Sequence, residues 1–441
     1  MIDRYTTPAM QAIWSRQAKY NRWMEVEVAI CRAYAEKGVI PASDMSAIEK
    51  GQGFDLDRCD EIELETRHDL MAFVRCMSEY VTRSVGLEPG TEKTPSRWIH
   101  FGVTSYDVID TALGMMLRDS CAVLIESAGK LRETMVQLSE KHRDTACIGR
   151  THGIHAEVIT FGFKVNGWVH ELDRSIDRLK YAQHEIAVGK VSGAVGIHAH
   201  VDPDLEAAIC ADLKLRPDPS STQIVARDRH AHVLTVLAVL AGSMERWATE
   251  LRNLQRTEIL EVQEEFAKGQ TGSSAMPHKR NPWNSETVCG LARVVRGNTS
   301  AMLESIMTWH ERDLTNSSLE RIVFPDTFYL VDFMLHRLNK ILGGIVVMPE
   351  NMQRNLRMMG DLVFSEHVMV KLIEKGMSRE AAYKVAQRNA AQAWEGVDFK
   401  TSVSSDPDVQ SLLSPAEVEE LFSLEHHLRN ADAGFLALEN A

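Results

Sequence analysis

LRDSCAVLIESAGKLRETMVQL, residues 117–138, carries apolar or small side chains at Leu117, Cys121, Leu124, Ala128, Leu131, Met135 and Leu138. The spacings alternate between four and three, the seam of a long helix that packs against other helices. Val233, Leu237, Leu240, Met244, Trp247, Leu251 and Leu254 repeat the rule, and Val165, Trp168, Leu172, Ile176 and Leu179 nearly do. Proline, which removes an amide donor and breaks helices, leaves these stretches almost free. Only 13 occur in 441 residues, none between Pro95 and Pro203 and few between Pro219 and Pro325. Strand-like alternation is scarce. The pattern predicts an all-α fold of three helical domains around a central bundle of long helices. The expected divisions are an N-terminal domain over 1–104, the bundle over 105–352 and a C-terminal domain over 353–441. Gly38, Pro41, Gly51 and Gly53 break the first into shorter helices. Turn chemistry at Gly376-Met377-Ser378 and Ser404-Ser405-Asp406-Pro407 does the same in the last.

Lys and Arg total 49 against 62 Asp and Glu, a net charge of −13 that argues against nucleic acid or an anionic membrane as a general partner. An anionic small molecule would need basic residues clustered locally. The seven cysteines are scattered and form no CxxC pair, the usage of reduced thiols rather than of disulfides or zinc. No apolar run follows Met1–Tyr5, and the apolar stretch around Val233 to Ala241 is too short to span a bilayer. A cytoplasmic protein without signal peptide is expected.

Polar chemistry concentrates in a few places. Gly272-Ser273-Ser274-Ala275-Met276-Pro277-His278-Lys279-Arg280-Asn281-Pro282 cannot be a helix, and it sets two hydroxyls beside a cationic cluster. It reads as a loop that handles an anion and moves a proton, or as a solvated basic loop. Arg67-His68-Asp69 is a second cluster. In His100-Phe101-Gly102-Val103-Thr104-Ser105-Tyr106-Asp107, the spacing of Thr104 and Asp107 resembles a capping box, and such a helix start suits an anion or is simply a cap. Arg150-Thr151-His152-Gly153-Ile154-His155 offers a histidine for acid–base work, a buried structural histidine or, without the HExxH pattern, a metal ligand. Gln223 could read a base or sugar, and Arg227-Asp228-Arg229-His230 reads as solvated or ion-paired surface. Arg312, Ser317 and Arg321 could form a phosphate clamp or a structural salt-bridge network.

The Ser273–Pro282 loop resembles the mobile loop of the fumarase/aspartase superfamily. Arg4-Tyr5, Thr66–Asp69, Thr104-Ser105, Arg150–His152, Ser221–Gln223 and Trp309–Arg312 resemble, in order along nearly the whole chain, the bacterial branch that acts on succinylated purine nucleotides. Tyr106, Val158 and Trp283 depart from the pattern: a small hydroxyl residue, a proline and a smaller aliphatic residue are usual there. The departures bear on pocket shape and loop mobility rather than on the proton-transfer groups.

The resemblance implies a fumarase/aspartase-like fold and β-elimination of fumarate. The substrates would be adenylosuccinate, giving AMP, and succinyl-aminoimidazole carboxamide ribotide. It implies Ser274 as general base, His152 as general acid and Glu286 as orienter of His152. Lys279 and Asn281, with Thr151 assisting, would hold the succinyl carboxylates. Arg4, Tyr5, Arg312, Ser317 and Arg321 would receive the phosphate, and Thr104, Ser105 and Gln223 the succinyl or base region. His68 would be catalytic and Arg67, Asp69 and His100 substrate-binding, all near the site. No cofactor and no metal are implied, and the partners would be small purine nucleotides and three further copies of the chain, sharing composite sites in a homotetramer. A 3-carboxy-cis,cis-muconate cycloisomerase shares the loop without needing a phosphate clamp. A scaffold that lost its chemistry would have no reason to retain Ser274, His152, Lys279 and Glu286 together.

Overall fold

The structure, a computed structural model of one chain, describes residues 2–266, 269 and 275–439. It divides into two compact units, one of residues 1–129, 174–244 and 290–336 and the other of 130–173, 245–289 and 337–441. Every division falls inside a long helix. All residues of the three predicted seams are buried, as the alternating spacing requires.

In the first unit, α1 (Arg16–Glu36), α2 (Leu56–Thr66) and α3 (Asp69–Ser84) close around Tyr20, Trp23 and Phe73. Asp55 caps α2 by accepting the Arg58 amide at 2.8 Å. The helix ends where Arg67 turns left-handed, with φ of 53°, and His68 caps α3. Two caps in three residues make a tight corner and present Arg67-His68-Asp69 at its tip. Helix α4 (Ser105–Lys141) starts in this unit and carries the first seam.

One region breaks the helical reading. Between α4 and α5 (Phe161–Ile186), β1 (Ala146–Thr151) and β2 (Ile154–Thr160) pair as an antiparallel hairpin in the second unit. Thr151 faces Ile154 in the register, so His152-Gly153 is a two-residue loop, with φ of 56° and 80°. Positive φ at both positions fits a type I′ turn, which glycine takes freely and histidine does not. Helices α6 (Asp228–Leu254), α7 (Trp283–Glu304) and α8 (Thr315–Gly343) complete the long set. Pro325, read from sequence as the limit of a proline-poor stretch, lies within α8. Short helices past residue 349 pack around Val368, Leu372, Val385, Phe399 and Val403 in the second unit.

Candidate active site

A cleft of about 550 Å³ in the first unit gathers Arg67, His68, Asp69, Thr104, Ser105, Gln223, Arg312, Ser317 and Arg321, with Tyr106 in its wall. Four separate stretches of sequence thus reach one place. The His68 Nδ1 accepts the Met71 amide at 3.5 Å, which leaves Nε2 to carry the proton facing Ser105 Oγ at 3.4 Å. Arg321 pairs with Asp69 at 2.8 Å; burial pushes the Asp69 carboxyl up, but Arg321, Lys19 and the Leu70 amide together hold it below its usual range. Arg312 donates through Nη1 to Gln223 Oε1 at 3.0 Å, and its guanidinium lies over the Tyr106 ring, 3.5 Å from the centroid. Its Nε and Nη2 are buried and meet no hydrogen-bond partner among the described residues. A guanidinium with two unused buried donors is a ready anion receptor.

Two buried ionic clusters brace the residues that line the cleft. Asp107 accepts the Thr104 amide at 2.8 Å, the half of a capping box expected from sequence. The same carboxylate is fully buried against Lys190 at 2.5 Å, and Lys190 also donates to the Gly193 and Gln223 carbonyls. One ion pair therefore ties the α4 start to the strand of chain that carries Gln223. Deeper, Arg227 binds Asp110 and Glu320 at 2.6 and 2.7 Å. This corrects the reading of the Arg227–His230 run as surface: Arg227 and His230 are both buried, because carboxylates from α4 and α8 neutralise the guanidinium. Burial outweighs Arg227 at Glu320, whose pKa is raised, while Arg227 outweighs burial at Asp110, whose pKa is lowered. Asp110 is thus the firmer anionic partner. Asp110 and Glu320 stand about one helical turn beyond Tyr106 and Ser317, so the triad fixes both.

The second unit holds another cleft, of about 1090 Å³, lined by Lys279, Asn281 and Glu286 together with Arg252, Arg256, His278 and Arg280. Here the support is lighter. Lys279 is exposed, and its amide donates to the Met276 carbonyl. Gln255 donates to the Arg280 carbonyl at 3.1 Å and accepts the Glu264 amide at 2.9 Å. Glu264 caps α7, accepting the Ser285 amide and hydroxyl at 2.8 and 2.6 Å and the Asn284 amide side chain at 2.8 Å. That cap sets the first turn of α7, which carries Glu286.

Thr151 and His152 line neither cleft; both are exposed at the hairpin tip. Arg150, beneath them, is anchored to buried Glu261 at 2.5 Å, and Asn355 donates to the same carboxylate. His155, the second histidine of the motif, pairs with Arg150 across the strands, and burial lowers its pKa. Among the described residues no group of three His, Cys, Asp or Glu could hold a metal. Arg4 and Tyr5 form a short 3-10 turn, with Tyr5 edge-on to Phe333 at 5.1 Å and outside the first cleft. His100 is outside it too. Its Nδ1 lies 2.7 Å from buried Glu27, which overcomes burial and raises the imidazole pKa. Ser274, with Ser273, lies outside the described residues.

The lyase family profile matches residues 3–297, and the profile of the adenylosuccinate lyase C-terminus matches residues 361–437. A Synechocystis relative named adenylosuccinate lyase is 48% identical over 432 residues, covering 98% of each chain. One from Bacillus subtilis with the same name is 43% identical over 436 residues, covering 99% of each. The chain belongs to the adenylosuccinate lyase family.

Membership in the adenylosuccinate lyase family makes it a lyase acting on C–N bonds. The crystal structure of a fumarate lyase from Mesorhizobium sp. BNC1 is similar at a TM-score of 0.88 and 26% identity over 98% of each chain. A 3-carboxy-cis,cis-muconate lactonizing enzyme from Pseudomonas putida gives 0.86 and 29%, over 98% of this chain and 96% of that one. The fold is the all-α fumarase/aspartase fold. Within the adenylosuccinate lyase pattern, the three departing residues take definite places. Tyr106 is buried under Arg312, Val158 is buried opposite Ile148 in the hairpin, and Trp283 opens α7 with the Arg337 guanidinium 5.4 Å from its ring centre.

Proposed function

We propose that this family member β-eliminates fumarate from adenylosuccinate, releasing AMP, and from succinyl-aminoimidazole carboxamide ribotide, releasing the free carboxamide, within purine nucleotide synthesis. The observation that carries the reading is Arg312, with two buried unused donors in a cleft that also holds Ser317 and Arg321. A phosphate would satisfy those donors, and both substrates carry one. The cycloisomerase alternative brings no phosphate to such a cleft.

In the reaction, the Ser274 alkoxide removes the proton from the carbon next to one succinyl carboxylate. The electron pair moves into that carboxylate as an aci-dianion, which Lys279 and Asn281 stabilise with Thr151 assisting. The pair then returns to form the fumarate double bond as the C–N bond breaks. His152 delivers a proton to the departing nitrogen, and Glu286 steadies the imidazole. Lys279 and the amides of a helix start are the candidates for activating Ser274. Thr104, Ser105 and Gln223 meet the succinyl and base region, Arg4 and Tyr5 join the phosphate clamp, and Arg67, His68, Asp69 and His100 shape the surroundings.

The reading includes a cytoplasmic homotetramer with composite sites and three chain domains divided at 104/105 and 352/353. Val239, Val294, Leu303 and Ile322, exposed on α6, α7 and α8, support helix-to-helix association of copies. The test is fumarate release from adenylosuccinate by purified protein beside a Ser274→Ala control. Release that collapses in the control is the expected result. No release by well-folded wild type from either purine substrate would overturn the reading.

A further inference from the structure

Tyr106 occupies a position between two cavities. Tyr106, Ile109, Ser317 and Arg321 line both the candidate phosphate cleft and an adjoining cavity of about 260 Å³, whose other walls include Trp14, Trp23 and Phe324. Tyr106 is 5% exposed, yet its ring is not merely core, because one contact is the Arg312 guanidinium at 3.5 Å. That guanidinium has one donor committed to Gln223 and two donors free. A planar cation held over a ring and tethered at one nitrogen keeps little freedom, so its free Nε and Nη2 keep one direction. The phenol end meets Ser317. Burial, with Asp110 nearby, raises the phenol pKa, so the hydroxyl stays protonated and can donate. Asp110, one turn along α4, is locked by Arg227 and holds that turn of helix in place.

We propose that Tyr106 is a positioning residue that sets substrate affinity at the phosphate end, by fixing the plane of the Arg312 fork and walling the cleft off from the aromatic cavity. This rests on the phosphate-clamp reading above. The ring does the positioning, and the hydroxyl adds a smaller contribution through Ser317. The residue acts through Arg312 and Ser317, so it lowers KM and leaves bond cleavage alone.

The experiment compares Tyr106→Phe and Tyr106→Leu in the full-length protein, reading kcat, KM and inhibition by inorganic phosphate, with thermal melts to verify folding. Tyr106→Phe keeps the ring and should change KM by no more than about twofold. Tyr106→Leu should raise KM and the phosphate inhibition constant together by about tenfold, with kcat within about threefold. In an Arg312→Met background, Tyr106→Leu should add no further loss. A folded Tyr106→Leu protein with unchanged KM and phosphate inhibition would overturn the proposal. So would a fall in kcat alone, or full additivity with Arg312→Met. Wild-type protein insensitive to phosphate and inactive on both purine substrates would instead sink the clamp reading itself.

Discussion

The two clefts are built by opposite means. The first rests on buried charge: Lys190–Asp107 is fully enclosed, and Arg227 is held between Asp110 and Glu320. The second presents its cations outward, with Lys279 and Arg280 exposed and the backbone held by Gln255 and the Glu264 cap. Buried ion pairs with all hydrogen bonds met are rigid, and leave a group such as Arg312 pre-aimed. Exposed lysines are adaptable and strongly hydrated until a ligand arrives. In the proposed reaction the phosphate is unchanged throughout, whereas charge develops on the succinyl carboxylate. The cleft braced by buried charge would then supply constant binding, and the one with exposed Lys279 interactions that strengthen in the transition state.

The sharpest break of this contrast is to remove one charge from each side. Lys190→Met leaves Asp107 buried and unpaired, and should cost about 3–5 kcal/mol of stability in denaturant unfolding. Pairing it with Asp107→Leu should recover part of that loss, since the uncompensated charge goes too. Lys279→Met should leave the unfolding midpoint almost unchanged and lower kcat by about 10²–10³-fold. Equal stability losses from Lys190→Met and Lys279→Met would show the clefts to be built alike.

A smaller effect is carried by pH. Lys19, in the aromatic cavity beside the first cleft, has no ion-pair partner among the described residues and lies 4.7 Å from the Trp23 ring centre. Burial, with Arg321 and Arg16 nearby, lowers its pKa from 10.5 to about 8. The unfolded chain therefore binds this proton more tightly between those values, so the Lys19 contribution favours folding increasingly as pH rises from about 8 to 10.5. Relative to Lys19→Met, wild type should gain on the order of 2 kcal/mol across that window, after allowance for partial solvent screening. Parallel stability curves for the two proteins would show that Lys19 is solvated.

Much of this was legible in the residues, and the failures have a common cause. The seams were readable because helix burial imposes a period within one segment, and every seam residue is buried. The candidate binding residues were readable because Arg67–Asp69, Thr104-Ser105 and Arg312–Arg321 are dense in polar chemistry. Lys190 was not, being a lone lysine whose partner Asp107 is 83 residues away. Arg227 looked like surface for the same reason, since no local pattern announces the two carboxylates that bury it. The hairpin was missed because its strands are short among long helices, although His152-Gly153 between β-rich flanks carried a turn signal.

The finest test separates support from chemistry within the second cleft. Glu264 accepts the first amides of α7. A carboxylate there satisfies orphan N–H groups and opposes the positive end of the helix. In Glu264→Gln, one oxygen becomes an NH₂ that faces either the Ser285 amide or the Asn284 side chain, both of which are donors. The cap then loses a bond and a charge, a cost of about 1–2 kcal/mol. Since Glu286 lies in that same first turn, kcat should fall by less than in Lys279→Met, while inhibition by inorganic phosphate should stay at the wild-type value. A shift in phosphate inhibition would mean that the Glu264 cap also supports the phosphate end, and the two clefts would no longer be separable by single substitutions.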